Sequence, residues 1–218
     1  TAPLDQIAID AKVRLMLETH VINNDGVSNA WDEFRKMLAD NAPAFWDGAR
    51  QLPSVQKFQH HATVVRPAPS WDVRHYPPEM RRVIKEEMDT LLRKGILEEA
   101  DPAGQYGAPV LLIPKPNGGW RTCVDLRKVN KMVLKEQWPL PKIDTILQSM
   151  DKGVFFSALD LVMAYFQIPI AEESRNLFGV ATPDAFYRFK RLPMGYVNSM
   201  SVFNRYLSNA MLGLQWEC

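Results

Sequence analysis

Cysteine is scarce in this sequence: 218 residues hold only Cys123 and Cys218. Two thiols without CxxC spacing exclude a disulfide framework, and the default expectation is an intracellular, reduced protein, with nucleus or cytoplasm left open. No apolar run approaches the roughly 18 residues of a membrane span, and nothing resembles a signal peptide, so no membrane is expected as a partner. Charge of one sign is also lacking. Lysine and arginine number 26 against 25 acidic residues, a net charge of +1, and the basic excess of a typical nucleic-acid binder is missing. Internal repeats and low-complexity tracts are absent too. What remains is 46% apolar and 23% charged, the composition of a folded chain long enough for one large or two small cores.

Charge is unevenly placed. Between residues 115 and 142 stand Lys115, Arg121, Arg127, Lys128, Lys131, Lys135 and Lys142, against Asp125 and Glu136. Seven minus two leaves a local +5. On pattern alone such a run reads first as a solvated surface and second as a phosphate-contacting patch.

Residues 1–30 carry weak helical periodicity and read as a helical extension. In 31–79, Trp31, Phe34 and Leu38 mark a lead-in helix, followed by a proline-containing connector. Pro78 suits a first helical turn, Ile84, Met88, Leu91 and Leu92 form one stripe, and Gly95 closes the helix. Ala108–Pro114 and Trp120–Leu126 flank the turn cluster Pro116-Asn117-Gly118-Gly119 and predict a β-hairpin over 108–126, with Trp120 packing its base. Ile143, Ile146, Leu147 and Met150 predict a helix, and Val154–Leu161 a strand. Shorter strands are expected at Phe166–Ile170, Asn176–Ala181 and Phe186–Lys190. A last helix begins near Asn198/Ser199, with Val202, Phe203, Tyr206, Leu207, Ala210 and Met211 inward. Helices and mostly antiparallel strands in this order predict an α+β domain.

Asp160 follows the apolar run FFSAL, where a carboxylate has to be paired, hydrogen-bonded or metal-bound. Its plain reading is a cap on the turn at Val162–Tyr165. Cys123 reads as a small core residue. The adjacent His60 and His61 lack a Cys or carboxylate at ligand spacing and are not expected to form a metal site.

Several segments change the reading of Asp160. VFFSALDLVMAYFQIPI with FYRFKRLPMGYVNSMSVFNR resembles the palm of reverse transcriptases, and GAPVLLIPKPNGGWRTCVDLRKVNK with WPLPKID resembles their fingers. The chain resembles the reverse transcriptases of gypsy-type long-terminal-repeat retrotransposons and their retroviral relatives, from about Trp31 to Trp216. The resemblance implies a fingers subdomain, mainly over 80–145, and a partial palm over 146–218. It implies that Asp160 is a metal ligand, helped by the Leu161 carbonyl, and that Tyr165 abuts the sugar 2′ position. It further implies that Lys115 and Arg121 grip the triphosphate and that Met194 lies in the loop beside the nucleotide. Arg127, Lys128, Lys131, Lys135 and Lys142 become candidate nucleic-acid contacts, for weak binding of RNA or an RNA/DNA hybrid. The family usually carries an aromatic or Gln at Met194 and a Pro at Met200.

Family members complete a two-metal centre, which uses Mg2+, from a YxDD hairpin beyond the palm helix. The 218 residues contain no Asp-Asp pair, and Leu214–Cys218 stand where the strand before that hairpin begins. The expectation is a polymerase fragment that is inactive in isolation and binds no metal tightly. The alternative is a non-catalytic, retroelement-derived binding or scaffolding module. Either way, a bare strand with Phe155 and Phe156, near Met211, Leu214 and Trp216, is expected to recruit a second copy or a protein partner.

Overall fold

The computed structural model describes residues 52–66, 73–139, 142–149 and 160–213, with a few positions between 33 and 41. Two compact units divide the chain, Thr1–Arg50 and Gln51–Cys218. In the first, Glu33, Lys36, Met37, Ala39 and Asp40 are helical; Trp31, Phe34 and Leu38 lie outside the described residues.

The second unit opens its regular structure with helix α1, Pro78–Arg93. Pro78 at its first position needs no amide partner, and its fixed φ suits a helical start. Ile84, Met88 and Leu91 are buried along one face. Burial of each contributes about 1.5–3 kcal/mol. The helix stops because Gly95 takes φ +67°, which lets the Gly95 and Ile96 amides turn back onto the carbonyls of Leu92 and Leu91, both at 2.9 Å. Ile96 is thereby driven fully into the core.

Five strands form one mixed sheet: β1 (Leu97–Glu99), β2 (Gly107–Pro114), β3 (Trp120–Val124), β4 (Gly179–Ala181) and β5 (Phe186–Phe189), in the order β1-β5-β4-β2-β3. Only β2 and β4 run parallel, with Ala108 opposite Val180. Both of those residues are fully buried. Helices α2 (Arg127–Met132), α3 (Ile143–Ser149) and α4 (Ser199–Ala210) complete the regular structure among the described residues. Helices with a predominantly antiparallel sheet make an α+β fold, as expected.

A segment without its own helix or strand, residues 52–66, straps the unit together. The Val55 amide donates to the Gln167 carbonyl, the His60 amide to Pro169 and the Ala171 amide back to His60, each at 2.9 Å. Farther along, Val65 donates to Met132 at 2.7 Å and Leu134 to Thr63 at 2.8 Å.

Several expectations change. Phe166–Ile170 is not a strand: Ala164–Gln167 is a 3-10 turn, and Pro169 and Ile170 make only single bridges, to Arg191 and His60. Pro169 has no amide to extend a ladder. The strand expected at Asn176–Ala181 begins at Gly179, because Glu172–Leu177 winds as a 3-10 helix. An Arg175–Glu172 ion pair spans one turn of that helix. Trp120 does not pack the base of the hairpin. It sits opposite Pro114, beside the turn, and is 36% exposed. Ala210 and Met211 are exposed rather than inward-facing. The expected strand Val154–Leu161, with Phe155 and Phe156, lies outside the described residues up to Asp160, as do Leu214 and Trp216.

A Cβ at Gly179 would overlap the Tyr106 carbonyl oxygen and lie 2.6 Å from Phe186 Cζ. Backbone in a paired strand cannot move aside cheaply, so Gly179→Ala is expected to cost at least about 2 kcal/mol in chemical denaturation. A loss below about 0.5 kcal/mol, the range of ordinary surface changes, would contradict the packing described.

Candidate nucleic-acid and nucleotide site

The candidate residues lie on a turn at 160–165, a loop at 191–199, helix α2 and the β2–β3 hairpin. Asp160 is exposed at the head of its turn, and Leu161 beside it is 47% exposed. Two residues on, Met163 adopts φ +51°, a conformation that costs a side-chain-bearing residue about 1–2 kcal/mol. Gln167 Nε2 holds the turn by donating to the Val162 carbonyl at 2.8 Å. The Tyr165 ring stands edge-on to Phe203 of α4, centroids 5.7 Å apart.

Loop 191–199 is pinned at nearly every residue. The Leu192 amide donates to Ile168 at 2.8 Å, and the Ser199 hydroxyl donates to the Pro193 carbonyl at 2.7 Å. Asn198 Nδ2 donates to the Leu134 carbonyl at 2.8 Å, and its Oδ1 accepts the Glu136 amide at 3.0 Å. The buried Tyr196 hydroxyl lies 3.1 Å from both Asn198 Nδ2 and His60 Nε2, and its ring meets Phe178 edge-on at 4.9 Å. Burial pushes the Tyr196 phenol up to about 12, so it stays protonated. Met194, by contrast, projects from the loop and is 57% exposed.

Arg127, Lys128, Lys131 and Lys135 line a single cavity of about 470 Å³ with Pro109, Asp125, Asn130 and Val197. Lys142 is exposed at the foot of α3, outside that lining. Asp125 meets Arg127 in a fork, Nε–Oδ1 2.8 Å and Nη2–Oδ2 2.6 Å. The Arg127 hydrogen bond holds the Asp125 carboxyl below its usual range. That pair cancels internally, so Lys131 and Lys135 contribute most of the positive charge of the cavity. Glu136, the other acid of the run, is turned towards Arg205 at 3.2 Å.

On the hairpin, Lys115 and Arg121 are both exposed. The turn between them closes through the Lys115 amide on the Gly119 carbonyl and the Gly118 amide on the Lys115 carbonyl, each at 3.1 Å. Gly118 and Gly119 take φ +87° and +80°, a pair of conformations open to glycine at little cost. Both cations therefore stand on a tight tip, held by cross-strand pairing of Arg121 with Ile113.

Residues 113–217 match the family model described as reverse transcriptase (RNA-dependent DNA polymerase). The chain is 36% identical over 138 residues to the retrovirus-related Pol polyprotein from transposon 412 of Drosophila melanogaster. It is 32% identical over 134 residues to that from transposon gypsy of the same species. Over these residues the chain is similar to the reverse transcriptases of long-terminal-repeat retroelements. These matches take in 61% and 59% of this chain but 11% and 13% of the two polyproteins. The fold is that of a foamy viral protease–reverse transcriptase solved in complex with double-stranded DNA: TM-score 0.66 at 21% identity, covering 98% of this chain and 38% of that one. Among the described residues no helix is long and apolar enough to cross a membrane.

Sequence reasoning misses the residues that make loop 191–199 stiff. His60 was weighed only as a metal ligand, yet its ring is fully buried and faces Tyr196. Asn130 and Asn198 gave one local signal: Asn is a weak helix former that favours caps and tertiary hydrogen bonds.

Burial, then the Arg205 and His61 charges, lowers His60 from 6.5 to about 4. Below pH 6.5 the unfolded chain takes up a proton that the folded chain refuses, so stability falls as pH drops from 6.5 towards 4, by about 3 kcal/mol in all. Urea midpoints measured across that range are expected to fall in wild type and to flatten in His60→Gln. Equal slopes in both would contradict a neutral, buried His60.

Proposed function

We propose that these residues form the nucleotide-facing and template-facing front of a retroelement polymerase site. The carrying observation is the cavity lined by Lys128, Lys131 and Lys135, which shares Val197 with the pinned loop that displays Met194. Three ammonium groups beside a stiff loop suit the phosphates of a nucleic-acid strand, which position a protein without reading sequence. The solved relative bound to double-stranded DNA supports the same class of ligand. Lys115 and Arg121 on the hairpin tip would take a triphosphate, a point charge and a planar fork acting together. Tyr165 would limit the space beside the sugar, and Asp160 with the Leu161 carbonyl would offer ligands to one metal ion.

The donor set does not fit a complete two-metal centre. Asp160 is one exposed carboxylate, and the described residues hold no group of three His, Cys, Asp or Glu able to share an ion. A working two-metal centre would need further carboxylates beside Asp160. A second reading, a protein-binding module, is favoured by the exposed Met211 and Leu212, at 43% and 70%. It would use these residues to meet a second copy or another protein.

Two measurements test the polymerase reading. Anisotropy with a single-stranded RNA is expected to give Kd in the range of about 10⁻⁴–10⁻⁶ M at physiological salt, weakening as salt rises. Replacing Lys131 and Lys135 by Gln should weaken binding about tenfold and flatten the log–log salt slope by about 1.4, with Lys142→Gln doing less. Unchanged binding in the double variant would leave the cavity a solvated surface. Primer extension by the 218-residue chain with Mg2+ is expected to yield no template-dependent product. Product that survives repurification and disappears in Asp160→Ala would contradict the incomplete donor set.

A further inference from the structure

One side chain joins helix α2 to loop 193–198. Asn130 Nδ2 donates to the Gly195 carbonyl at 2.9 Å, and its Oδ1 accepts the Val197 amide at 2.8 Å. The two bonds straddle Tyr196 and use both ends of the amide, which fixes the loop in position and in direction. Asn130 also lies in the cavity wall beside Lys128, Lys131 and Lys135, and Val197 belongs to the same wall. In a helix interior Asn is worse than Ala by up to about 0.7 kcal/mol, a deficit that two tertiary hydrogen bonds offset. Helix α2 has only six residues and is held down by the buried Val129 and Met132. It can shift against the loop only by disturbing one of these attachments.

We propose that Asn130 is a positioning residue that couples occupancy of the lysine-lined cavity by a nucleic-acid sugar–phosphate strand to the order of loop 193–198. The proposal rests on the nucleic-acid reading above. A phosphate drawn to Lys131 and Lys135 damps motion of α2, and the Asn130 amide passes that restraint to Gly195 and Val197. Beyond Val197 the loop cannot yield, because Asn198 and Ser199 are already pinned. Met194, the exposed residue between these anchors, is thereby set in one orientation. Coupling of this kind is reciprocal: whatever fixes the loop strengthens binding in the cavity.

NMR on the 218-residue chain tests this, with and without a single-stranded RNA oligonucleotide at low salt. The readouts are amide hydrogen exchange at Val197 and the Met194 ε-methyl resonance, assigned with Met194→Leu. In wild type, RNA is expected to slow exchange at Val197 about tenfold and to shift the Met194 methyl. In free Asn130→Ala, losing the bond speeds Val197 exchange by about five- to tenfold. Brought to the same fractional saturation with RNA as wild type, that variant should show no response at Val197 or Met194. Asn130→Asp keeps the acceptor for the Val197 amide and should restore its protection in the free protein. Exchange that rises equally at Val129 and through the core would mean a merely structural role and overturn the proposal. So would RNA that binds wild type without moving Val197 or Met194, which leaves the nucleic-acid reading standing. A response that persists in Asn130→Ala likewise overturns the coupling. Failure of wild type to bind RNA overturns both readings together.

Discussion

The site depends on one constraint: a loop with buried polar groups has to satisfy all of them. Residues 191–199 carry amides, carbonyls, a phenol, a carboxamide and a hydroxyl into the protein, and each unpaired group would cost about 1–3 kcal/mol. Partners come from three directions. The strap gives His60, helix α2 gives Asn130, and the chain after α2 gives the Leu134 carbonyl and Glu136 amide. Those partners lie 62 to 136 residues away in sequence, so the order of the loop depends on the strap and α2. The same satisfaction leaves Met194 and Val197 turned outward. Polar bookkeeping inside thus decides which apolar side chains are displayed.

Electrostatics follow the same logic. The 115–142 run is not a uniform +5 surface. Asp125 is drawn inward and spends its charge on Arg127, Glu136 turns to Arg205, and three lysines remain around one cavity. Elsewhere Glu98 gathers Arg188 at 2.6 Å and Arg175 at 3.4 Å, so Arg188 helps to hold β1 against β5 and Arg175 ties the 3-10 helix to β1. A near-neutral chain can therefore still present a locally basic face, because its acids are placed elsewhere.

The legible parts of the sequence were those governed by local chemistry. Pro78 and Gly95 bracket α1 because each acts on its own φ, and the Gly118-Gly119 turn fixed the hairpin to within a residue or two. Motifs in order made the fold class and the family resemblance readable. What stayed hidden depends on distant partners. Ile168 and Ile170 look like strand residues, and both are fully buried, yet their neighbours are a strap and a loop rather than a ladder. Trp120 looked like a core residue but pairs next to the turn. His60 carries no local pattern and Asn130 only that of a weak helix former, since their roles lie in contacts 136 and 65 residues away.

In the proposed function, α2, Lys135, loop 193–200 and the turn at 160–165 face one nucleic-acid ligand. Chemical-shift mapping of the 218-residue chain with a short RNA/DNA hybrid tests it directly. The account predicts perturbations concentrated at Arg127–Lys135 and Met194–Met200, with smaller ones at Asp160–Tyr165, and α1 unchanged. Perturbations confined to other surfaces, such as the exposed Ile143–Leu147 face of α3, would contradict it.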